Sequence, residues 1–173
     1  MEIRKAVFLA VLLTQGILPA RGDAPLPAPS EWRTCNRPIT HCARMTPEKD
    51  TVVYKVDRSF TGTEIYRIQG WHRDVFLSDD GQYFASGYSG LNLVQLDATP
   101  MTVMLTVWKN GQPHMFVSLS QVLWSLTSLK RTVSHYSWGR NLGFNRDGFL
   151  EIETVENRHV TVDPEKKSIK IWD

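Results

Sequence analysis

Few side chains in this sequence are spaced for chemistry. The five histidines, His41, His72, His114, His135 and His159, form no H-E-x-x-H pair or other close ligand pair, so zinc hydrolysis is not expected. Cys35, His41 and Cys42 lie in C-N-R-P-I-T-H-C and would supply three metal ligands at most, without the usual spacing. Gly87-Tyr88-Ser89-Gly90-Leu91 imitates a nucleophile elbow, but G-x-S-x-G needs glycine at position 91. Ser134 and His135 are neighbours, and strand alternation would send them to opposite faces. Asp79-Asp80 and Asp147 are candidate paired carboxylates, yet each stands beside a glycine and reads as a turn. Trp71 and Trp138 are candidate sugar-stacking platforms; because they recur at one repeat position they read as core. There is no Walker loop and no dinucleotide fingerprint. The expectation is a binding protein without catalytic residues, metal or cofactor.

The N-terminus places that binder. Arg4 and Lys5 precede an apolar stretch, Ala6 to Leu13, and small residues follow at Ala20 and Gly22. This is the pattern of a secretory signal over residues 1–22, cut after Gly22 or Ala24, and its apolar run is too short to span a bilayer. Removing it leaves 17 basic and 17 acidic residues. A neutral chain with interspersed charges lacks the basic face that nucleic acid requires, and no basic amphipathic helix suits a membrane surface. A periplasmic or secreted location follows, and there an even, closely spaced pair, Cys35 and Cys42, is expected to be a disulfide. Residues 23–30, D-A-P-L-P-A-P-S, read as an extended Pro-rich spacer, and residues 31–173 as one β-rich domain.

What must position any site is a set of β units. W-H-R-D-V-F-L-S-D-D-G, from Trp71, matches W-G-R-N-L-G-F-N-R-D-G, from Trp138, at an offset of 67 residues. The matched pairs include Trp71/Trp138, Asp74/Asn141 and Gly81/Gly148. V-Q-L-D from Val94 then answers V-T-V-D from Val160. The two segments are expected to be equivalent β units with each Asp-Gly in a turn. Strands are expected at Thr51–Val56, Glu64–Ile68, Val75–Leu77, Tyr83–Tyr88, Asn92–Leu96, Leu150–Val155, Arg158–Val162 and Ser168–Trp172. Asn110-Gly111 predicts a two-residue type I′ hairpin, pairing Lys109 with Gln112, Trp108 with Pro113 and Leu105 with Phe116, and buried on both faces. Pro113 should lie at an edge or strand end. One short helix is expected from Ser120 to about Leu129. The spacing of Trp32, Trp71, Trp108, Trp138 and Trp172 is uneven but near blade length. The fold class is mainly β: a small irregular propeller-like array, or a two-sheet sandwich, with one short helix.

The stretch from Val75 to Asp97, V-F-L-S-D-D-G-Q-Y-F-A-S-G-Y-S-G-L-N-L-V-Q-L-D, resembles the central segment of periplasmic immunity proteins that neutralise type VI secretion amidase toxins. The resemblance implies an exported, all-β, propeller-like body that blocks a peptidoglycan amidase by inserting a loop into its catalytic cleft. The family's serine-bearing loop falls on Tyr88, Ser89 and Gly90, which makes these the candidate partner-binding residues. The chain departs from the family in carrying a single cysteine pair near its N-terminus.

Overall fold

The computed structural model describes residues 23–57 and 62–172. The expected signal peptide, residues 1–22, lies outside them. The chain is mainly β, as its β-branched and aromatic runs require. Four strands open it: β1 (Trp32–Cys35), β2 (His41–Met45), β3 (Thr51–Val56) and β4 (Gly62–Ile68), in a meander of that order. Next come β5 (Val75–Leu77), β6 (Tyr83–Gly87), β7 (Leu93–Gln95), β8 (Val103–Lys109) and β9 (Gln112–Ser118). A one-turn helix α1 (Leu119–Val122) and a 3₁₀ turn (Leu126–Ser128) lead to β10 (Lys130–Arg131) and β11 (His135–Ser137). The last meander is β12 (Gly139–Phe144), β13 (Leu150–Thr154), β14 (His159–Asp163) and β15 (Ser168–Trp172). The second sheet runs β5-β6-β8-β9, and β7 leaves it to join β11 and β10. All pairings are antiparallel.

The sheets pack face to face, as in a sandwich, through two cores. Successive side chains on a strand point to opposite faces. Phe84 and Trp108 of the second sheet join Ala43, Met45, Val53 and Ile68 of the first. Tyr83, Ala85, Leu105 and Val107 join Leu150, Ile152, Val160 and Val162 of the last. The second sheet is therefore the middle layer, and β8 is buried on both faces as its sequence predicts. The leading strand β5 lies against both β1 and β12, and Arg37, in the β1–β2 turn, donates to the Phe144 carbonyl at 2.9 Å.

The β8–β9 hairpin follows the expected register only at its tip. Asn110 and Gly111 take φ of 50° and 80°, and Lys109 faces Gln112. Past Trp108 and Pro113 the register shifts, so that Val107 faces Met115, Thr106 faces Phe116 and Leu105 faces Val117. The Pro113 nitrogen points away from β8, so proline is tolerated there, and His114 is left over as a bulge. The expected pairing of Leu105 with Phe116 is thus corrected by one residue. As expected for Pro113, β9 is an edge strand. Phe116 is more than half exposed, so burial on both faces does not extend to β9.

The expected helix from Ser120 to Leu129 is broken into two pieces. Ser118 caps α1, its amide donating to Gln121 Oε1 at 2.9 Å. The chain then leaves the helical path because the Glu156 carboxylate accepts from the Trp124 and Ser125 amides at 2.9 and 3.1 Å. Leu119, Val122 and Leu123 are buried, Leu126 is partly so, and Trp124 is exposed.

Cys35 and Cys42 stand directly opposite on β1 and β2 and are bonded. That takes both thiols away from metal ligation. The hairpin between them is organised by Asn36, whose Oδ1 accepts from the Thr40 and His41 amides and whose Nδ2 donates to the Ser78 and Asp79 carbonyls. Among the described residues, no helix is long and apolar enough to cross a membrane.

Candidate functional site

The repeated segments explain how the candidate loop is held. Trp71 and Trp138 each lie in irregular chain just before the leading strand of a sheet. Nine residues on, Asp80-Gly81 and Asp147-Gly148 occupy matching turns with Gly φ of 73° and 81°, and the glycine amides donate to the Ser78 and Asn145 carbonyls. The equivalence expected from the sequence extends this far. It fails one strand later: Val94 belongs to β7, in the three-stranded sheet, and Val160 to β14, in the last meander. The burial of the two tryptophans also differs. Trp138 is wholly buried, whereas Trp71 is half-buried with its indole N–H on the Ser30 carbonyl at 2.8 Å. Core packing thus describes Trp138 fully and Trp71 in part. The other tryptophans do not mark blades, since Trp108 lies on a third strand and Trp172 ends a fourth.

Trp138 fastens the loop that leaves β6. Its indole N–H donates to the Leu91 carbonyl at 2.7 Å, and its amide to the Asn92 carbonyl at 3.2 Å. Within the loop, the Leu91 amide donates to the Tyr88 carbonyl at 2.8 Å and the Leu93 amide to the Gly90 carbonyl at 3.1 Å. Leu91 itself takes φ of 58°. Of the three candidate binding residues, Ser89 is exposed, and Tyr88 and Gly90 are partly covered. Tyr88 packs against the larger core. A Cβ on Gly90 would stand 2.4 Å from the Leu93 carbonyl and 2.7 Å from the Tyr88 ring. The loop therefore offers one free hydroxyl on a fixed frame.

At the root of the loop the two repeat units touch through equivalent residues. Asn141 Nδ2 donates to Asp74 Oδ2 at 2.7 Å. Gly87 makes room for this pair: a Cβ there would fall 2.0 Å from Asp74 Oδ2 and 2.3 Å from Asn141 Nδ2. The Gly87 amide donates to the Asp74 carbonyl at 2.8 Å. Burial pushes the Asp74 carboxyl above the usual carboxylate range, partly offset by the Asn141 amide.

A second polar cluster overturns one expectation. Ser134 and His135 do meet, with Oγ 2.8 Å from Nδ1. Ser134 lies in the turn before β11, so strand alternation does not apply to it. Asp23 Oδ2 accepts from Thr132 Oγ1 at 2.7 Å, Ser134 Oγ at 2.8 Å and the Ser134 amide at 3.1 Å, and lies 3.3 Å from His135 Nδ1. Serine and aspartate therefore share one ring nitrogen. A nucleophilic relay instead needs them on opposite nitrogens. The Thr132 and Ser134 hydrogen bonds hold the Asp23 carboxyl down at about 2. Residues 23–30 form no helix or strand, and they are a fastened strap rather than a free spacer. Arg73 donates to the Pro27 carbonyl at 2.7 Å, and the Trp71 indole holds Ser30.

Several of the remaining candidates make structural contacts. Asp80 Oδ1 accepts from Ser78 Oγ at 2.5 Å and from the Gln82 amide at 3.0 Å. His41 lies 3.0 Å from Thr40 Oγ1, and His114 lies 2.8 Å from the Pro164 carbonyl. His72 is packed edge-on against Phe84 and Trp108, and burial lowers its pKa. Among the described residues no three His, Cys, Asp or Glu side chains are grouped to hold a metal.

Comparison with known protein families and with curated proteins finds no match.

Proposed function

We propose that this protein is a periplasmic inhibitor that binds a cell-wall hydrolase, in the manner of the amidase immunity proteins its central segment resembles. The observation that carries this reading is the loop Tyr88–Asn92: an exposed Ser89 on a backbone pinned by the buried Trp138. A small hydroxyl on a preorganised loop enters a narrow cleft at low entropic cost and can donate to, or accept from, a catalytic side chain. The Cys35–Cys42 disulfide suits an oxidising compartment.

The test is inhibition of a secreted Cys-His amidase encoded beside this protein, measured as peptidoglycan cleavage and as affinity by calorimetry. Ser89→Trp is the informative variant because Ser89 is free of the packing that encloses Gly90. The expected loss is of hot-spot size, about 2 kcal/mol or more. A folded Ser89→Trp variant that inhibits as well as the wild type refutes the loop as the inhibitory element.

A further inference from the structure

The Asp74–Asn141 contact leaves one hydrogen-bond account open. Asn141 Oδ1 is buried and has no hydrogen-bond partner among the described residues. A buried amide oxygen without a donor is costly, and native structures rarely tolerate one. Its amide nitrogen already touches the Asp74 carboxyl at 2.7 Å. An ionised carboxylate only accepts, and so cannot serve the orphaned oxygen. A protonated carboxyl has one O–H to give, and an acid facing a primary amide satisfies both groups in a ring of two hydrogen bonds. The nearby Gly87 amide is already committed to the Asp74 carbonyl.

We propose that Asp74 and Asn141 form a proton-operated latch between the two repeat units: a protonated Asp74 closes a cyclic acid–amide pair with Asn141, and ionisation removes its O–H bond to Asn141 Oδ1 while the bond from Asn141 Nδ2 stays. The latch joins the chain before β5 to β12 and abuts Gly87, the last residue of β6. The charged groups on the converging elements are otherwise engaged. Arg73 lies over the Trp71 ring and holds Pro27, and His72 lies 3.2 Å from Ser86 Oγ. Arg140 of β12 pairs with Glu153 of β13 at 2.6 Å. Tyr88, just beyond β6, packs on the larger core. None of them is a cation bonded to Asp74 that would hold it ionised. Burial raises the carboxyl and outweighs the opposing effect of the Asn141 N–H. Because the folded state then holds the proton more tightly than the unfolded chain, the stabilisation is full at acidic pH. It is lost as pH rises through the folded-state midpoint.

The deciding experiment is a ¹³C-carboxyl NMR titration of Asp74 in the intact protein, beside urea unfolding of wild type and Asp74→Asn across pH. The expected midpoint lies above the ordinary carboxylate range, each unit of displacement being a tenfold gain in proton affinity. Asparagine at position 74 cannot ionise but can still form the paired ring. The stability difference between wild type and D74N is therefore expected to shift in favour of D74N as pH rises through that midpoint. A midpoint at or below the ordinary range, or a pH-independent difference, overturns the latch. Should D74N fail to fold, the wild-type titration decides alone.

Discussion

Replacing Trp138 by phenylalanine separates packing from repeat symmetry. The indole is wholly buried and its N–H is the donor for the Leu91 carbonyl at 2.7 Å. Phenylalanine keeps an aromatic ring but removes the pyrrole edge, roughly 40 Å² of buried surface worth about 1 kcal/mol at 25 cal/mol per Å². The Leu91 carbonyl loses its donor in a half-buried position, costing about 1–3 kcal/mol more. The expected total is about 2–4 kcal/mol, read as a lowered urea midpoint at unchanged slope. Trp71→Phe at the matched position removes a hydrogen bond to the exposed Ser30 carbonyl, which water can replace. That variant should cost about 1 kcal/mol or less. Amide exchange adds a local readout, since Trp138→Phe should speed exchange at Leu91 and Leu93, the amides that close the loop. Equal losses for the two variants would refute the argument that Trp138 alone braces the loop.

Replacing both Cys35 and Cys42 by serine opens an eight-residue ring and should cost about 2.5 kcal/mol on the loop-entropy model, checked by urea unfolding. Non-reduced, denatured protein should show no titratable thiol by reagent counting. Gly87→Ala puts a methyl 2.0 Å from Asp74 Oδ2 and should destabilise by about 1–3 kcal/mol through overpacking, measured by thermal unfolding. Gly148→Ala meets nothing within 4 Å, so only its φ of 81° counts, and about 1–2 kcal/mol is expected. The Asp23 carboxyl is lowered to about 2, so its hold on the strap persists above the usual carboxylate value and fails as pH falls toward 2. Proteolysis of residues 23–30 by an acid-active protease should therefore accelerate over that range.

The strands were legible wherever β-branched residues cluster: Thr51–Val56, Val75–Leu77 and Ser168–Trp172 lie where their composition places them. The Asp-Gly turns and the disulfide were legible too, because each is a local choice. What escaped is decided at a distance. Trp32–Cys35 and His41–Met45 lack clear alternation and become strands by pairing with each other and with β3. The helix after Ser118 is cut by Glu156, which no nearby residue announces. Val94 and Val160 sit in similar tetrapeptides yet join different sheets, because partner choice is not encoded in the tetrapeptide. The contact of Ser134 with His135 depends on the turn geometry and on Asp23, more than a hundred positions away. In the candidate loop Ser89 is exposed while Tyr88 and Gly90 are partly covered, and the brace from Trp138, 47 positions from Leu91, has no local signal.

The bulge at His114 bears on the outer edge of the second sheet. A four-stranded sheet with a straight outer strand is a template onto which another chain can grow, and β9 also carries the exposed Phe116. Pro113 withholds a donor and the extra residue twists the strand, so an incoming strand finds no continuous ladder beyond the first pair. The last strands of the other two four-stranded sheets carry their own guards: the Glu64–Arg67 ion pair on β4 and the exposed Lys170 in the middle of β15. Of the leading strands, β5 lies against both β1 and β12. The outer strands β4, β9 and β15 thus each meet an incoming strand with charged side chains, or with a proline and a bulge, rather than with a plain ladder.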